Sequence, residues 1–235
     1  MKKYLASSLF VFVLTAYSFS DTLAELRAEI RIRIGDGKTD INNRHYSDDT
    51  LNYRINAVQT FIAKETLCLE ARISTPSITG QREYTFNSDI IKPYRMAYYI
   101  ANSNPPSYQR LEWYSMTALD KTPTWEDVSA DLPTRFYTRG QKYGLVVAPS
   151  SVYASTYAVQ IDYYKKPNAL TIGTDVPFDG DVLLYAYHEL IIKGVVIMCL
   201  EKEQDTTALK NEYYALLQKM KDEVKLSQDG GLWKN

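Results

Sequence analysis

Residues 159–164 read VQIDYY, and this stretch decides the fold class of the chain. Apolar and polar residues alternate along it, which is the period of a half-buried β-strand. The same period runs from about residue 67 to residue 166, and turn-forming runs such as Asn104-Pro105-Pro106 interrupt it. It predicts seven strands: Cys68–Ser74, Arg82–Phe86, Tyr94–Ile100, Gln109–Tyr114, Thr134–Arg139, Tyr143–Ala148 and Tyr157–Tyr164. Seven short strands in succession indicate a small antiparallel sandwich or barrel.

Helical periodicity flanks this β region on both sides. Apolar residues recur three and four positions apart from Thr22 to Ile34, from Ser47 to about Thr66, from near Phe178, and after Asp205. The apolar stripe of the third helix is too wide for a surface helix, so we expect that helix to be central. Because helices and strands do not alternate, the predicted class is α+β. The expected architecture is a four-helix bundle, formed by the N- and C-terminal helix pairs, with an inserted small antiparallel β sandwich or barrel.

These patterns divide the chain into segments. Residues 21–66 and 178–226 form the predicted helical bundle, residues 67–166 the β domain, and residues 227–235 a C-terminal tail. Residues 1–20 are a hydrophobic leader that begins with two lysines, the pattern of a secretory signal peptide. Two other interpretations stay open: a retained N-terminal segment, or a translated extension upstream of the functional start.

Composition argues against several classes of function. The charge sum is −1, with 27 basic and 28 acidic residues, and this balance lacks the basic excess typical of a nucleic-acid-binding protein. Two histidines and two cysteines are too few for a structural zinc site or a disulfide framework. Cys68 and Cys199 each lie in an apolar stretch, so we expect buried free thiols. No metal or other cofactor is predicted.

Catalytic motifs are incomplete. His188-Glu189 begins like a zinc-protease motif, but Ile192 stands where the second histidine is required. Gly37-Lys38-Thr39 ends like a phosphate-binding loop, but Ile32 replaces its first glycine. His188 lies in an apolar helical stripe, which is typical of a satisfied core histidine. The sequence therefore predicts a protein that is not an enzyme.

Tyrosine is abundant, with 20 Tyr against 7 Phe and 3 Trp. A tyrosine has an apolar face and a polar tip, which suits surfaces that meet another chain. Strand positions also favour aromatic residues, so the same count fits a β-rich protein without a partner. The composition leaves both interpretations open.

Several segments carry a family resemblance. They are Thr22–Leu26 through Gly35-Asp36, Tyr46–Asp49 leading into Leu51–Gln59, Gly80–Phe86, Gly144–Pro149, Asp162–Pro167 and the helix from Asp181. In this order they resemble head-to-tail adaptor (connector) proteins of short-tailed bacteriophages, over roughly residues 21–226. The resemblance implies a virion protein, assembled in the host cytoplasm, that forms a dodecameric ring with copies of itself.

The resemblance also implies partners. The ring would dock beneath the portal protein, receive tail nozzle or tail tube proteins, and let DNA pass non-specifically through its channel, with no membrane contact. The hydrophobic leader departs from this expectation, because an exported subunit would miss virion assembly. The alternative function is therefore a secreted β-rich binding or adhesion module.

The last helix and the tail supply the predicted partner contacts. Tyr213, Tyr214 and Leu217 lie on that helix, and Leu232 and Trp233 follow a Gly-Gly pair. Aromatic and apolar residues at a chain end suggest attachment to a partner ring. A frayed terminus is the other interpretation of the tail.

Overall fold

The computed structural model describes residues 21–36, 45–100, 105, 107–122, 124–155 and 158–228. The predicted leader, residues 1–20, lies outside the described residues, as do residues 229–235 of the predicted tail.

The described chain contains helices at both ends and strands between them. The helices are α1 Leu23–Arg33, α2 Asp48–Thr66, α3 Met116–Leu119, α4 His188–Leu200 and α5 Thr207–Gln228. The strands are β1 Glu70–Thr75, β2 Glu83–Thr85, β3 Ile90–Ile100, β4 Ser107–Arg110, β5 Glu112–Trp113, β6 Arg135–Arg139, β7 Lys142–Leu145 and β8 Val159–Lys165. Short 3₁₀ turns occupy Trp125–Asp127, Pro177–Gly180 and Val182–Tyr187.

The strands form two four-stranded sheets. Their orders are β1-β8-β3-β4 and β2-β7-β6-β5, and every pair is antiparallel except β5 with β6. Met96 and Ile161 of the first sheet share one apolar cluster with Tyr143 and Leu145 of the second. Side chains from both sheets therefore fill the space between two facing sheets.

One predicted strand is divided between the two sheets. Residues 109–114 were expected to form a single strand, but β4 pairs with β3 and β5 pairs with β6. The N–H of Leu111 donates to the carbonyl of Met96, and the N–H of Glu112 donates to that of Thr134. The buried Leu111 side chain thus marks the point where the chain passes from one sheet to the other.

The prediction of a four-helix bundle is wrong. The structure combines two four-stranded sheets with five α-helices, and α4 packs against α1, α2 and α5. Nine of the thirteen residues of α4 are buried, His188 among them. The four longer helices share one apolar cluster, and Phe178 and Tyr187 from the 3₁₀ turns fill part of it, so this core is not built by a helix bundle alone.

The first turns of the predicted third helix are not α-helical. The chain forms 3₁₀ turns there, and α4 begins only at His188. Phe178 and Asp179 have φ values of 52° and 58°, a left-handed conformation that stops an α-helix. Burial of the Phe178 ring in the helical core accompanies this conformation.

Candidate interaction surfaces

The structure separates the predicted partner residues of α5. Tyr213 and Leu217 are buried in the helical core, whereas 59% of Tyr214 is exposed. Burial raises the pKa of the Tyr213 hydroxyl to about 12. Leu232 and Trp233 lie outside the described residues. Of the three predicted partner residues on α5, Tyr214 alone has most of its surface exposed.

Tyr214 borders a groove between α2, α4 and α5, named here the helical groove. The groove has a volume of about 430 Å³ and is lined by Phe61, Gly194, Met198, Tyr213 and Tyr214 among others. Phe61 and Met198 are 44% and 42% exposed. Aromatic and methionine side chains of this kind are enriched in protein interfaces. The arrangement suits an apolar side chain of a partner protein.

Gly194 allows the three helices to approach closely at the floor of the helical groove. A Cβ at this position would lie 2.7 Å from Cγ1 of Val58 and 3.2 Å from Cε2 of Tyr213. Contacts this short do not occur without displacement of neighbouring atoms. A larger residue would therefore alter both the helix packing and the groove.

A second candidate surface is the outer face of the first sheet. Arg72 of β1 donates through Nε and Nη2 to the two carboxylate oxygens of Asp162 on β8, at 2.6 and 3.2 Å. Tyr94 stacks on Tyr164 with ring centroids 4.7 Å apart. Arginine and tyrosine are the residues that most often carry interface energy.

Only some residues of the outer face of the first sheet could be recognised from the sequence. Tyr94, Arg95 and Tyr99 are recognisable as large residues in one predicted strand. The register between β3 and β4 is what places Tyr99 opposite Tyr108, with ring centroids 4.9 Å apart. Such pairs depend on which strands are neighbours, which strand periodicity does not reveal.

His188 is buried, and within the described part of the chain neither ring nitrogen has a hydrogen-bond partner. Its interpretation as a satisfied core histidine is therefore wrong in that respect. Nδ1 lies 3.6 Å from Oδ2 of Asp21, and burial lowers the pKa of the imidazole. The uncharged imidazole contacts the rings of Phe178 and Tyr185, and this arrangement indicates that His188 packs as part of the core.

Within the described ranges, no group of three or more His, Cys, Asp or Glu residues could hold a metal ion. Cys68 and Cys199 are free thiols, as expected from the sequence. Nη1 of Arg54 lies 2.8 Å from Sγ of Cys199, and burial raises the pKa of the Cys68 thiol to about 11. Burial therefore keeps Cys68 protonated near neutral pH.

The segment Val182–Leu200 is long and apolar enough to cross a membrane by length and composition. Most of it is buried against other parts of the chain, and it contains α4. The core position of α4 accounts for this apolar composition.

Comparison with protein families gives one match across most of the chain. The model of the family described as SU10 adaptor protein matches residues 21–232. A search of curated proteins finds no match to the chain. The family match begins just after the hydrophobic leader and includes both helical segments and the two sheets.

Proposed function

The chain belongs to the SU10 adaptor protein family, and from this membership we propose that it is a ring subunit joining the portal of a phage to its tail. The family is one of phage structural adaptors, so the predicted resemblance to head-to-tail adaptors is confirmed. The protein is therefore a virion-associated structural protein. The family match over residues 21–232 carries the proposal.

The finer assignments rest on the resemblance to short-tailed phage adaptors. We propose a dodecamer that docks beneath the portal, receives tail nozzle or tail tube proteins, and lets DNA pass without sequence-specific contacts. Assembly would take place in the host cytoplasm. A cyclic ring needs two different faces on each subunit, one for each neighbour. The outer face of the first sheet suits one of these neighbour contacts, because it carries the arginine and tyrosine side chains typical of interfaces.

The partner contacts are proposed on α5 and in the chain that follows it. Tyr214 at the rim of the helical groove, together with Leu232 and Trp233, would contact the partner ring. Tyr213 and Leu217 would contribute indirectly, because their buried side chains fix the position of α5 and therefore of Tyr214. Many moderate contacts repeated around a ring provide strong attachment without any chemical turnover.

Mass measurement with and without portal rings tests the adaptor role. The chain from Asp21 onward is mixed with purified portal, and complexes are weighed by native mass spectrometry. We expect ring-sized additions to the portal. A strict monomer with no affinity for portal would refute the proposal, and efficient cleavage of residues 1–20 in cells would then favour the secreted module.

Two variants test the contacts. Tyr214→Ala should weaken docking, and Tyr53→Ala is the matched control because Tyr53 is 75% exposed on α2 and does not line the helical groove. Truncation after Gln228 should also weaken docking while leaving the fold intact. Unchanged docking of both the Tyr214 variant and the truncation would contradict the proposed contacts.

A further inference from the structure

A second groove lies between the helical core and the first sheet, and we name it the seam groove. Its volume is about 710 Å³. One wall comes from the 3₁₀ turn Val182–Tyr187 and the end of α5, and the other from β1, β3 and β8. The lining residues are Cys68, Glu70, Tyr94, Tyr164, Asp181, Leu183, Leu184, Tyr187, Glu223, Val224, Ser227 and Gln228.

The helical wall of the seam groove presents apolar surface. Leu183 is 65% exposed, and the neighbouring Val182 is 68% exposed. On the other wall, Tyr94 and Tyr164 stack on each other, and 43% of Tyr94 is exposed. A concave site with exposed leucine on one side and tyrosine rings on the other suits an apolar or aromatic side chain.

The end of α5 lies at the rim of this groove. Ser227 and Gln228 are among its lining residues, and Nε2 of Gln228 donates to the carbonyl of Leu67 at 3.0 Å. The sequence continues Asp229-Gly230-Gly231-Leu232-Trp233-Lys234. Trp233 is five residues beyond Gln228, a span of at most about 17 Å, and glycine accepts the backbone conformations of a reversal. The length of this connection therefore allows Leu232 and Trp233 to reach the groove.

Charge complementarity points to the same segment. Glu70, Asp181 and Glu223 line the seam groove, and the hydroxyl of Tyr187 donates to the carboxylate of Glu223. Lys234 follows the apolar pair directly. An ammonium group adjacent to Trp233 would lie among these carboxylates, where the charges attract.

We propose that in the free subunit the segment Leu232-Trp233-Lys234 of the same chain occupies the seam groove. Leu232 and Trp233 cover Leu183 and the tyrosine pair, and Lys234 faces the carboxylates. The short tether gives the segment an effective concentration of about millimolar order, so a weak contact suffices for occupancy. The inference concerns the unassembled subunit and does not depend on the adaptor role.

The native thiol of Cys68 reports occupancy, because Cys68 lines the seam groove. The full chain and a Leu232→Ala/Trp233→Ala variant are alkylated with iodoacetamide at about pH 9, because the thiolate is the reacting form and burial raises the pKa of Cys68. Modification of Cys68 is followed by peptide mass mapping, with the buried Cys199 as internal reference. A segment docked for about 80% of the time shields the thiol about fivefold, so the variant should react about fivefold faster.

Leu226→Ala is the matched control, since Leu226 is 55% exposed in the last turn of α5 and does not line the groove. It should react at the rate of the unaltered chain. Equal Cys68 rates in the unaltered chain and the double variant would overturn the proposal.

Two further measurements test charge and connectivity. Lys234→Glu should also speed up modification of Cys68, because it places a carboxylate among three others; an unchanged rate would overturn the assigned position of Lys234. In the unaltered chain the rate should be independent of protein concentration. Protection that disappears on dilution would assign the segment to the groove of a second copy and overturn the intramolecular arrangement.

Discussion

Arg82 holds a loop of the second sheet by donating four hydrogen bonds to backbone carbonyls. Nη1 donates to Trp125 at 3.1 Å and to Val146 at 2.6 Å, and Nη2 donates to Glu126 at 2.7 Å and Val128 at 2.9 Å. The planar guanidinium group can serve all four acceptors at once, which an ammonium group cannot. Arg82→Met would keep much of the aliphatic stem and remove every one of these donors.

The expected decrease in the free energy of unfolding depends on how buried the four carbonyl acceptors of Arg82 are. The bonds to Trp125 and Val146 are partly buried, whereas those to Glu126 and Val128 are exposed and their carbonyls can be hydrated instead. A hydrogen bond to a charged group contributes about 1.5–3 kcal/mol, so the two partly buried bonds together suggest a loss of about 3 kcal/mol.

Urea unfolding followed by tryptophan fluorescence measures this loss. The guanidinium of Arg82 lies 5.7 Å from the ring centroid of Trp125, so the emission of Trp125 also reports the loop directly. Arg139→Met is the control, because Arg139 is exposed on the neighbouring hairpin. A decrease below about 1 kcal/mol for Arg82→Met, or an equal decrease for both variants, would refute the role of Arg82 as an anchor of residues 124–128.

Two further perturbations test the helical core. Burial lowers the pKa of His188 below its ordinary 6.5, so the unfolded chain binds the proton more readily; stability is full above pH 6.5 and falls as the pH drops below it. The Tm of His188→Phe should therefore change less than that of the unaltered chain between about pH 7.5 and about pH 5.5, and equal changes would contradict this reasoning. Gly194→Val should lower the free energy of unfolding by about 1–3 kcal/mol through overpacking, as measured in urea. Gly173→Ala should be nearly neutral because its Cβ would meet Ala24 Cβ at an ordinary 3.5 Å, and a neutral Gly194→Val would show that the groove opens to admit a side chain.

Local patterns in the sequence were sufficient for most of the strands and helices. The alternation at residues 159–164 corresponds to β8, and the acidic start at Asp48-Asp49 after Ser47 corresponds to α2, whose N-cap oxygen accepts from the N–H of Thr50. These features are readable because strand alternation, helix periodicity and capping each involve residues close together in the chain.

Local sequence patterns predicted the candidate interaction surfaces less well than the helices and strands. Periodicity could have separated Tyr213 from Tyr214, because Tyr213 falls on the apolar stripe of α5 and is buried, whereas Tyr214 falls beside the stripe and is exposed. The seam groove was not predicted, since its walls come from segments as distant as Cys68 and Glu223.

The sequence by itself determined the α+β composition, the position of the β region between helical segments, and the resemblance that the family match confirmed. Only the tertiary structure decided that Gln109–Tyr114 is divided between two sheets, that 3₁₀ turns precede α4, and that Arg72 pairs with Asp162 ninety positions away. The physical reason is that periodicity records which side of an element is apolar, whereas strand partners and helix neighbours are selected by the joint burial of side chains far apart in the chain.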